Sequence, residues 1–308
     1  MADKWHELIY SYLKNDISGF RDLLVKMKDE GMSSHDAYRI FTEIRYELQR
    51  EENEKDEDII LEVMDIIVGW CQPEWRVWDN SFATENQILY VPNFEDLVTM
   101  PYTGIINAMC WTRTLTGDFG EIVRKVDLTG NITTIEPEEL CALPLSEQGQ
   151  LARGILLNDL ELLKAHGASP VLNVINHYDR DETYPFFPTD VYSFHVDRSP
   201  IPTDTILCTY YGEPSEILPN AQGKQKILIP EIRAELKKLY HGAAEGFDLF
   251  LSEHFFDLHY QAEPDARIIS LGLGNLWKLA VDHPESQVPP CLHRAPTETS
   301  GPRLLLIC

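Results

Sequence analysis

Around Gln72-Pro73-Glu74-Trp75 the chain changes its period, and no other feature limits its fold as much. Before that point apolar residues recur three and four apart, as they do on the buried stripe of a helix. After it they fall into short runs rich in β-branched and aromatic residues, broken by Pro and Gly, which is the pattern of strands and turns. The expected fold is therefore α+β, with a helical N-terminal segment over residues 1–72 ahead of a strand-rich domain over residues 73–308.

In the first part, Trp5, Leu8, Ile9, Tyr12 and Leu13 share one helical stripe, and Phe20, Leu23, Leu24 and Met27 share a second. Ala37, Ile40, Phe41, Ile44 and Leu48 form a third, and Ile60, Val63, Met64 and Ile67 a fourth. Gly31 reads as a helix stop, and Ser33 or Ser34 as the next cap. A small antiparallel bundle is expected. Its acidic stretch 50–58 reads as a solvated turn or, more sharply, as a surface that docks a protein partner.

In the second part, strands are expected at 88–91, 105–113, 122–127, 132–135, 171–177, 191–197, 205–211, 267–271, 275–280, 290–293 and 303–307. A helix is expected at 146–166 and a helical insertion at about 230–260. Many short strands separated by turns suggest a barrel or sandwich.

Charge narrows the partners. The sequence has 50 acidic against 26 basic residues, a net charge of −24. Such a field repels phosphate backbones and anionic membranes, so neither nucleic acid nor a membrane surface is expected as a partner. The six cysteines form no C-x-x-C pair, which argues against a disulfide framework or a zinc knuckle. Met1-Ala2-Asp3-Lys4-Trp5 has no signal-peptide pattern, and no apolar run nears the roughly 20 residues of a membrane span, so a cytoplasmic protein is expected.

The chemistry concentrates in Phe194-His195-Val196-Asp197-Arg198. On a strand, side chains two apart share a face, so His195 and Asp197 point the same way. An imidazole and a carboxylate presented together are two ligands of the facial triad that holds Fe(II) and leaves positions open for oxygen and a co-substrate. In Cys291-Leu292-His293-Arg294-Ala295-Pro296, His293 is the best-placed third ligand. Arg303 opens the last apolar run and suits bidentate pairing with the carboxylate of an oxo-acid co-substrate. The competing reading of His195 and Asp197 is a strand-end pair bonded to each other or to loop backbone.

Other residues read as structural. His241, His254, Asp257 and His259 surround Phe255 and Phe256 in the helical insertion, which suggests packing more than zinc binding. Arg294 points to the opposite strand face from His293 and reads as a surface ion pair; Lys278 reads as a snorkelling surface lysine. There is no G-x-S-x-G elbow, no P-loop and no G-x-G-x-x-G.

The order His195-x-Asp197, His293, Arg303 resembles the iron(II)/2-oxoglutarate-dependent dioxygenase superfamily, built on a double-stranded β-helix of jelly-roll or cupin-like form. More closely, Phe194-His195-Val196-Asp197, Leu207-Cys208-Thr209-Tyr210-Tyr211-Gly212 and Leu292-His293-Arg294-Ala295-Pro296, followed by Gly301-Pro302-Arg303-Leu304-Leu305-Leu306, resemble a bacterial family known as domain of unknown function 1826. That likeness covers roughly residues 85–308 and carries no activity of its own. The wider superfamily implies His195, Asp197 and His293 as iron ligands and Arg303 as the anchor of the distal carboxylate of 2-oxoglutarate. It also implies Tyr210 or Tyr211 as a hydrogen-bond partner of that carboxylate; strand phase decides which one faces inward, and Tyr210 is the one expected. The implied reaction is hydroxylation or a related oxidation of a small-molecule or peptide substrate. Many relatives place Ser or Thr two residues after the arginine, where this chain has Leu305. That departure suits the alternative function, a cupin-like metal-binding or sensing protein without oxygenase activity.

Overall fold

The computed structural model describes residues 2–13, 17–32, 34–51, 53–68, 75, 77–78, 87–296 and 301–308. The chain divides into two compact units, Met1–Asn86 and Gln87–Cys308. The expected boundary at 72/73 lies outside the described residues.

In the first unit four helices follow one another: α1 (Ala2–Tyr12), α2 (Ile17–Asp29), α3 (Ser34–Arg50) and α4 (Glu54–Val68). Each of the four apolar stripes is turned inward, with Trp5, Ile9, Phe20, Leu23, Phe41, Ile44 and Ile60 buried. Phe20 and Phe41 meet edge-on at 6.2 Å. The acidic turn is shorter than its charge suggests. Asn53 Oδ1 accepts from the Asp56 N–H at 3.4 Å, so α4 starts early and draws Asp56 and Glu57 into its first turn, where the helix terminus favours negative charge.

The second unit is mixed α and β with two sheets. Its first elements are β1 (Ile88–Val91), α5 (Phe94–Thr99), β2 (Ala108–Trp111), α6 (Phe119–Lys125), β3 (Ile132–Thr134), α7 (Pro137–Ala142) and α8 (Glu147–Ala165). Then come β4 (Val171–Ile175), β5 (Phe194–His195), β6 (Asp204–Tyr211), β7 (Glu216–Ile217) and β8 (Gly223–Gln225). Helices α9 (Pro230–Leu239) and α10 (Phe247–Glu253) lead to β9 (His259–Ala262), β10 (Ile269–Ser270), β11 (Leu276–Ala280), β12 (His293–Arg294) and β13 (Arg303–Ile307).

One sheet runs β1-β2-β11-β6-β13-β4-β3 and the other β10-β7-β12-β5-β9-β8. Within them, β4 pairs antiparallel with β13, β5 with β12, β6 with β11, and β7 with β10. The run β4 to β7 and the run β10 to β13 are thus joined strand by strand in reverse order, and each run alternates between the two sheets.

The larger sheet has two buried faces. Met109, Leu172, Val174, Ile206, Cys208, Tyr210, Leu276, Leu304 and Leu306 pack beneath Leu97 of α5, Ile122 of α6, Leu140 of α7 and Leu156 and Leu160 of α8. Alternate residues Cys110, Ile175, Leu207, Trp277, Leu279 and Leu305 face the smaller sheet and meet Ile217. Burial on both faces is why β6 carries consecutive apolar residues, Ile206, Leu207 and Cys208, instead of an alternating pattern.

Two sequence expectations are corrected. Residues 119–125 form a helix where a strand over 122–127 was expected: Asp118 caps it by accepting from the Glu121 N–H, and Phe119, Ile122 and Val123 share its buried face. The insertion at 230–260 is two helices and a strand. The first helix stops at Leu239 and the second runs from Phe247 to Glu253; Phe255, with a left-handed φ of 59°, then opens a 3-10 turn, Phe256–Leu258, that leads into β9.

Candidate metal centre

His195 and Asp197 leave β5 on the side that faces the larger sheet, while Phe194 and Val196 pack outward with Leu218 and Leu292. In β12, His293 is in register with His195, so its ring falls beside that of His195, with centroids 4.6 Å apart. The three expected ligands converge: one ligating atom from each of His195, Asp197 and His293 lies within 4.8 Å of the other two. Among the described residues no other trio of His, Cys, Asp or Glu does so.

Hydrogen bonds fix how the imidazoles are presented. His195 Nδ1 lies 2.8 Å from the Ser193 carbonyl, and His293 Nδ1 lies 3.2 Å from the Cys291 carbonyl. A carbonyl only accepts, so each Nδ1 carries the proton and each Nε2 keeps its lone pair. Both Nε2 atoms face Asp197, at 3.8 Å from Oδ1 for His195 and 3.5 Å from Oδ2 for His293. Thr205 Oγ1 donates to Asp197 Oδ2 at 2.5 Å and holds the carboxylate in place. Two lone pairs and a carboxylate aimed at one point repel one another unless a cation lies among them, so the donor set fits a divalent metal.

The electrostatics agree. Burial, and then the neighbouring His293, push the His195 imidazole down to about 4, so it is a neutral ligand at ordinary pH. Burial works to raise the Asp197 carboxyl, but His293 and the Thr205 hydroxyl outweigh it and hold the group below its usual range as an anion.

Arg303 lies on the same interior. Thr205, Leu207 and Thr209 share one face of β6; the first holds Asp197 and the last holds Arg303, whose Nη2 donates to Thr209 Oγ1 at 3.1 Å and to Ser215 Oγ at 3.0 Å. Four residues of strand separate the two threonines, about 13 Å. Arg303 is 6% exposed, and its Nε and Nη1 have no hydrogen-bond partner. Among the described residues no carboxylate pairs with it, and burial pulls its pKa down.

Tyr210 is not brought to this point. Its hydroxyl donates to Asp159 Oδ2 at 2.6 Å and its ring stacks on Phe119 at 5.3 Å, on the helix-covered face. Tyr211 lies there too, since a Cβ on Gly120 would come within 2.7 Å of its ring. Tyr210 follows Ile206 and Cys208 onto that face by ordinary strand alternation, and the register shift, in which Leu305 pairs with Thr209 but Leu304 with Tyr211, brings Tyr211 there as well. The tyrosine that interacts with Arg303 is Tyr178, from the Asn176-His177-Tyr178 stretch.

His259, which the sequence suggests as a packing residue of the helical insertion, is brought beside the site. It opens β9 in register with His195, their rings 6.0 Å apart, and its buried Nδ1 is unpartnered. Its neighbours are engaged elsewhere, Asp257 with Arg198 at 2.7 Å and His254 with the Phe250 carbonyl at 2.9 Å, so these residues hold no second metal site. Arg294 forms the expected ion pair, with Glu216 at 2.7 Å. Lys278, expected at the surface, is buried at 4% exposure. The missed roles shared one cause: Thr205, Thr209, Ser215 and His259 acquire meaning only through cross-strand register, which no local pattern encodes. No helix among the described residues is long and apolar enough to cross a membrane.

Comparison with protein-family models, with curated proteins and with solved structures finds no match for this chain.

Proposed function

We propose that the second unit is a double-stranded β-helix acting as an Fe(II)- and 2-oxoglutarate-dependent oxygenase, one that hydroxylates or otherwise oxidises a small-molecule or peptide substrate. The fold reading is supported by the reversed pairing of β4 to β7 with β10 to β13, since two antiparallel runs wound together across two sheets are what defines that architecture. The functional reading rests on one observation: two imidazole lone pairs and a carboxylate converge on a point, and a buried guanidinium without an acid partner stands on the same interior wall.

His195, Asp197 and His293 would hold the metal, which when bound supplies oxygen activation coupled to decarboxylation of the 2-oxo acid. The chain's own part is positional. Ser193 and Cys291 carbonyls keep the imidazoles in the ligating tautomer, and Thr205 fixes one carboxylate oxygen. Arg303 Nε and Nη1 would be available to the far carboxylate of the co-substrate, and Leu207, Leu305 and Ile217 make the apolar surface of that interior. The free thiols Cys110, Cys208 and Cys291 fit a reducing cytoplasm.

The test is anaerobic titration of the full chain with Fe(II) and then 2-oxoglutarate, followed by assay of succinate release in air. Binding of both, with slow uncoupled succinate release, is expected. Metal binding without 2-oxoglutarate binding overturns the reading and selects the second one, a cupin-like metal-binding or sensing protein. The observation favouring that rival is Leu305, which is buried in the wall where a hydroxyl-bearing residue would serve the co-substrate.

A further inference from the structure

On the opposite face of the larger sheet from the metal centre lies a cleft of about 380 Å3, lined by Tyr102, Asp204, Lys278, His283, Glu285 and Val288 among others. That volume falls in the range of small-molecule sites, roughly 300–1,000 Å3. The two sites are back to back. Thr205 points inward to Asp197, whereas Asp204, one residue earlier, points outward into the cleft.

The floor of the cleft carries more donors than the protein fills. Lys278 Nζ gives one hydrogen bond, to the Met100 carbonyl at the end of α5, at 2.8 Å. Its nearest acid, Asp204 Oδ2, is 4.0 Å away, outside hydrogen-bond reach, and its ammonium lies 4.8 Å from the centre of the Tyr102 ring. An ammonium has three donors, so two remain for the cleft. The Tyr102 hydroxyl is buried and makes no hydrogen bond of good geometry, although the Asp204 carboxylate is close enough to act on it. His283 Nδ1 accepts from the Glu285 N–H at 3.2 Å, which leaves the ring proton on Nε2 as a further donor. Buried donors such as those of Lys278 and Tyr102 are normally satisfied, so their presence beside the half-buried His283 calls for a ligand rich in acceptors. Asp204 and Glu285, at the same cleft, supply the complementary anionic side.

We propose that this cleft binds a small amphoteric carboxylate of amino-acid size. Its carboxylate takes the free donors of Lys278, Tyr102 and His283, and its ammonium faces Asp204 and Glu285. Charges then alternate in sign around the ligand, and the buried Lys278 ammonium gains a close anionic partner. Burial lowers the Lys278 pKa and raises that of Asp204, each shift partly offset by the other charge.

The test uses the full chain carrying His293→Ala, so that binding at the metal centre cannot contribute. The twenty free amino acids, their carboxamides and their deaminated acids are screened by thermal shift and then by calorimetry. At least one amino acid is expected to bind, with its carboxamide at least tenfold weaker. Lys278→Met and Tyr102→Phe should each weaken that binding at least tenfold, the second serving as the check if the first folds poorly. Lack of binding by every amino acid, equal binding of the carboxamide, or unchanged affinity in both variants overturns the proposal. Because the metal centre is disabled throughout, failure here leaves the oxygenase reading untouched.

Discussion

Arg303 Nη2 donates to Thr209 Oγ1, and Thr209 is the cross-strand partner of Leu305. The superfamily that the sequence resembles often has a hydroxyl two residues after the arginine; this chain has Leu305 there, and places the Thr209 hydroxyl on Arg303 from the neighbouring strand. This position is reached because Gly212, at φ 83°, lets β6 turn away beside Arg303; a Cβ there would lie 2.8 Å from the Arg303 Cα.

Arg303→Met should separate function from stability. A buried charge without an acid partner is a burden on the fold, so its replacement by an apolar side chain of similar length should leave thermal stability unchanged or raised. Loss of a charge-assisted carboxylate contact, about 1.5–3 kcal/mol, should weaken 2-oxoglutarate about 10- to 150-fold. Melting curves and anaerobic titration read both. A variant with a lowered melting temperature and unchanged 2-oxoglutarate affinity would make Arg303 structural.

Metal content should follow the triad. Purified with divalent metal, the chain should hold one equivalent by elemental analysis, and Ala in place of His195, Asp197 or His293 should abolish it. Thr205→Val keeps all three ligands but releases Asp197 Oδ2, and should lower affinity about 10- to 100-fold. Chelation should lower the melting temperature of the native chain and leave that of His293→Ala unmoved.

What the sequence made legible was whatever depends on neighbours along the chain. The helical stripes of residues 1–72, the shared face of His195 and Asp197, and the apolar run at β13 are all set by local period. The roles of Thr209, Ser215 and His259 were not legible, because their partners lie across sheet register. Tyr210 misled because a strand buried on both faces does not show its phase in the sequence: Tyr210 alternates with Ile206 and Cys208 toward the helices, and a bulge equally invisible in the sequence sends Tyr211 the same way.

Acid should weaken the second unit through Glu121. Its carboxylate accepts from the Ser146 hydroxyl and backbone and from Lys125, which hold its pKa down at about 2 against the usual value near 4.5, so it ties α6 to the start of α8. A carboxyl with a depressed folded-state pKa contributes stability that is complete above its unfolded value and lost as pH falls through the folded one. The loss should therefore run from about pH 4.5 down to about 2, and Glu121→Gln should flatten that limb of the stability curve. Denaturant midpoints measured across this range decide it; an unchanged slope would assign the acid limb to other groups.

Tyr210 and Asp159 should prove structural. Asp159 accepts from Arg113 Nη1 with both oxygens, at 2.8 and 2.7 Å, and from Tyr210, in a layer that the helices seal at 1% exposure. Asp159→Ala strands the Arg113 guanidinium in that layer and should cost about 3–5 kcal/mol, enough to leave the chain marginal. Tyr210→Phe removes one hydrogen bond to a carboxylate and keeps the ring on Phe119, so it should cost about 1.5–3 kcal/mol. Neither oxygen of that pair faces the metal side of the sheet. Titrations of Tyr210→Phe with metal and with 2-oxoglutarate should therefore match those of the native chain, whereas a contact with the co-substrate would show as a selective loss of 2-oxoglutarate affinity.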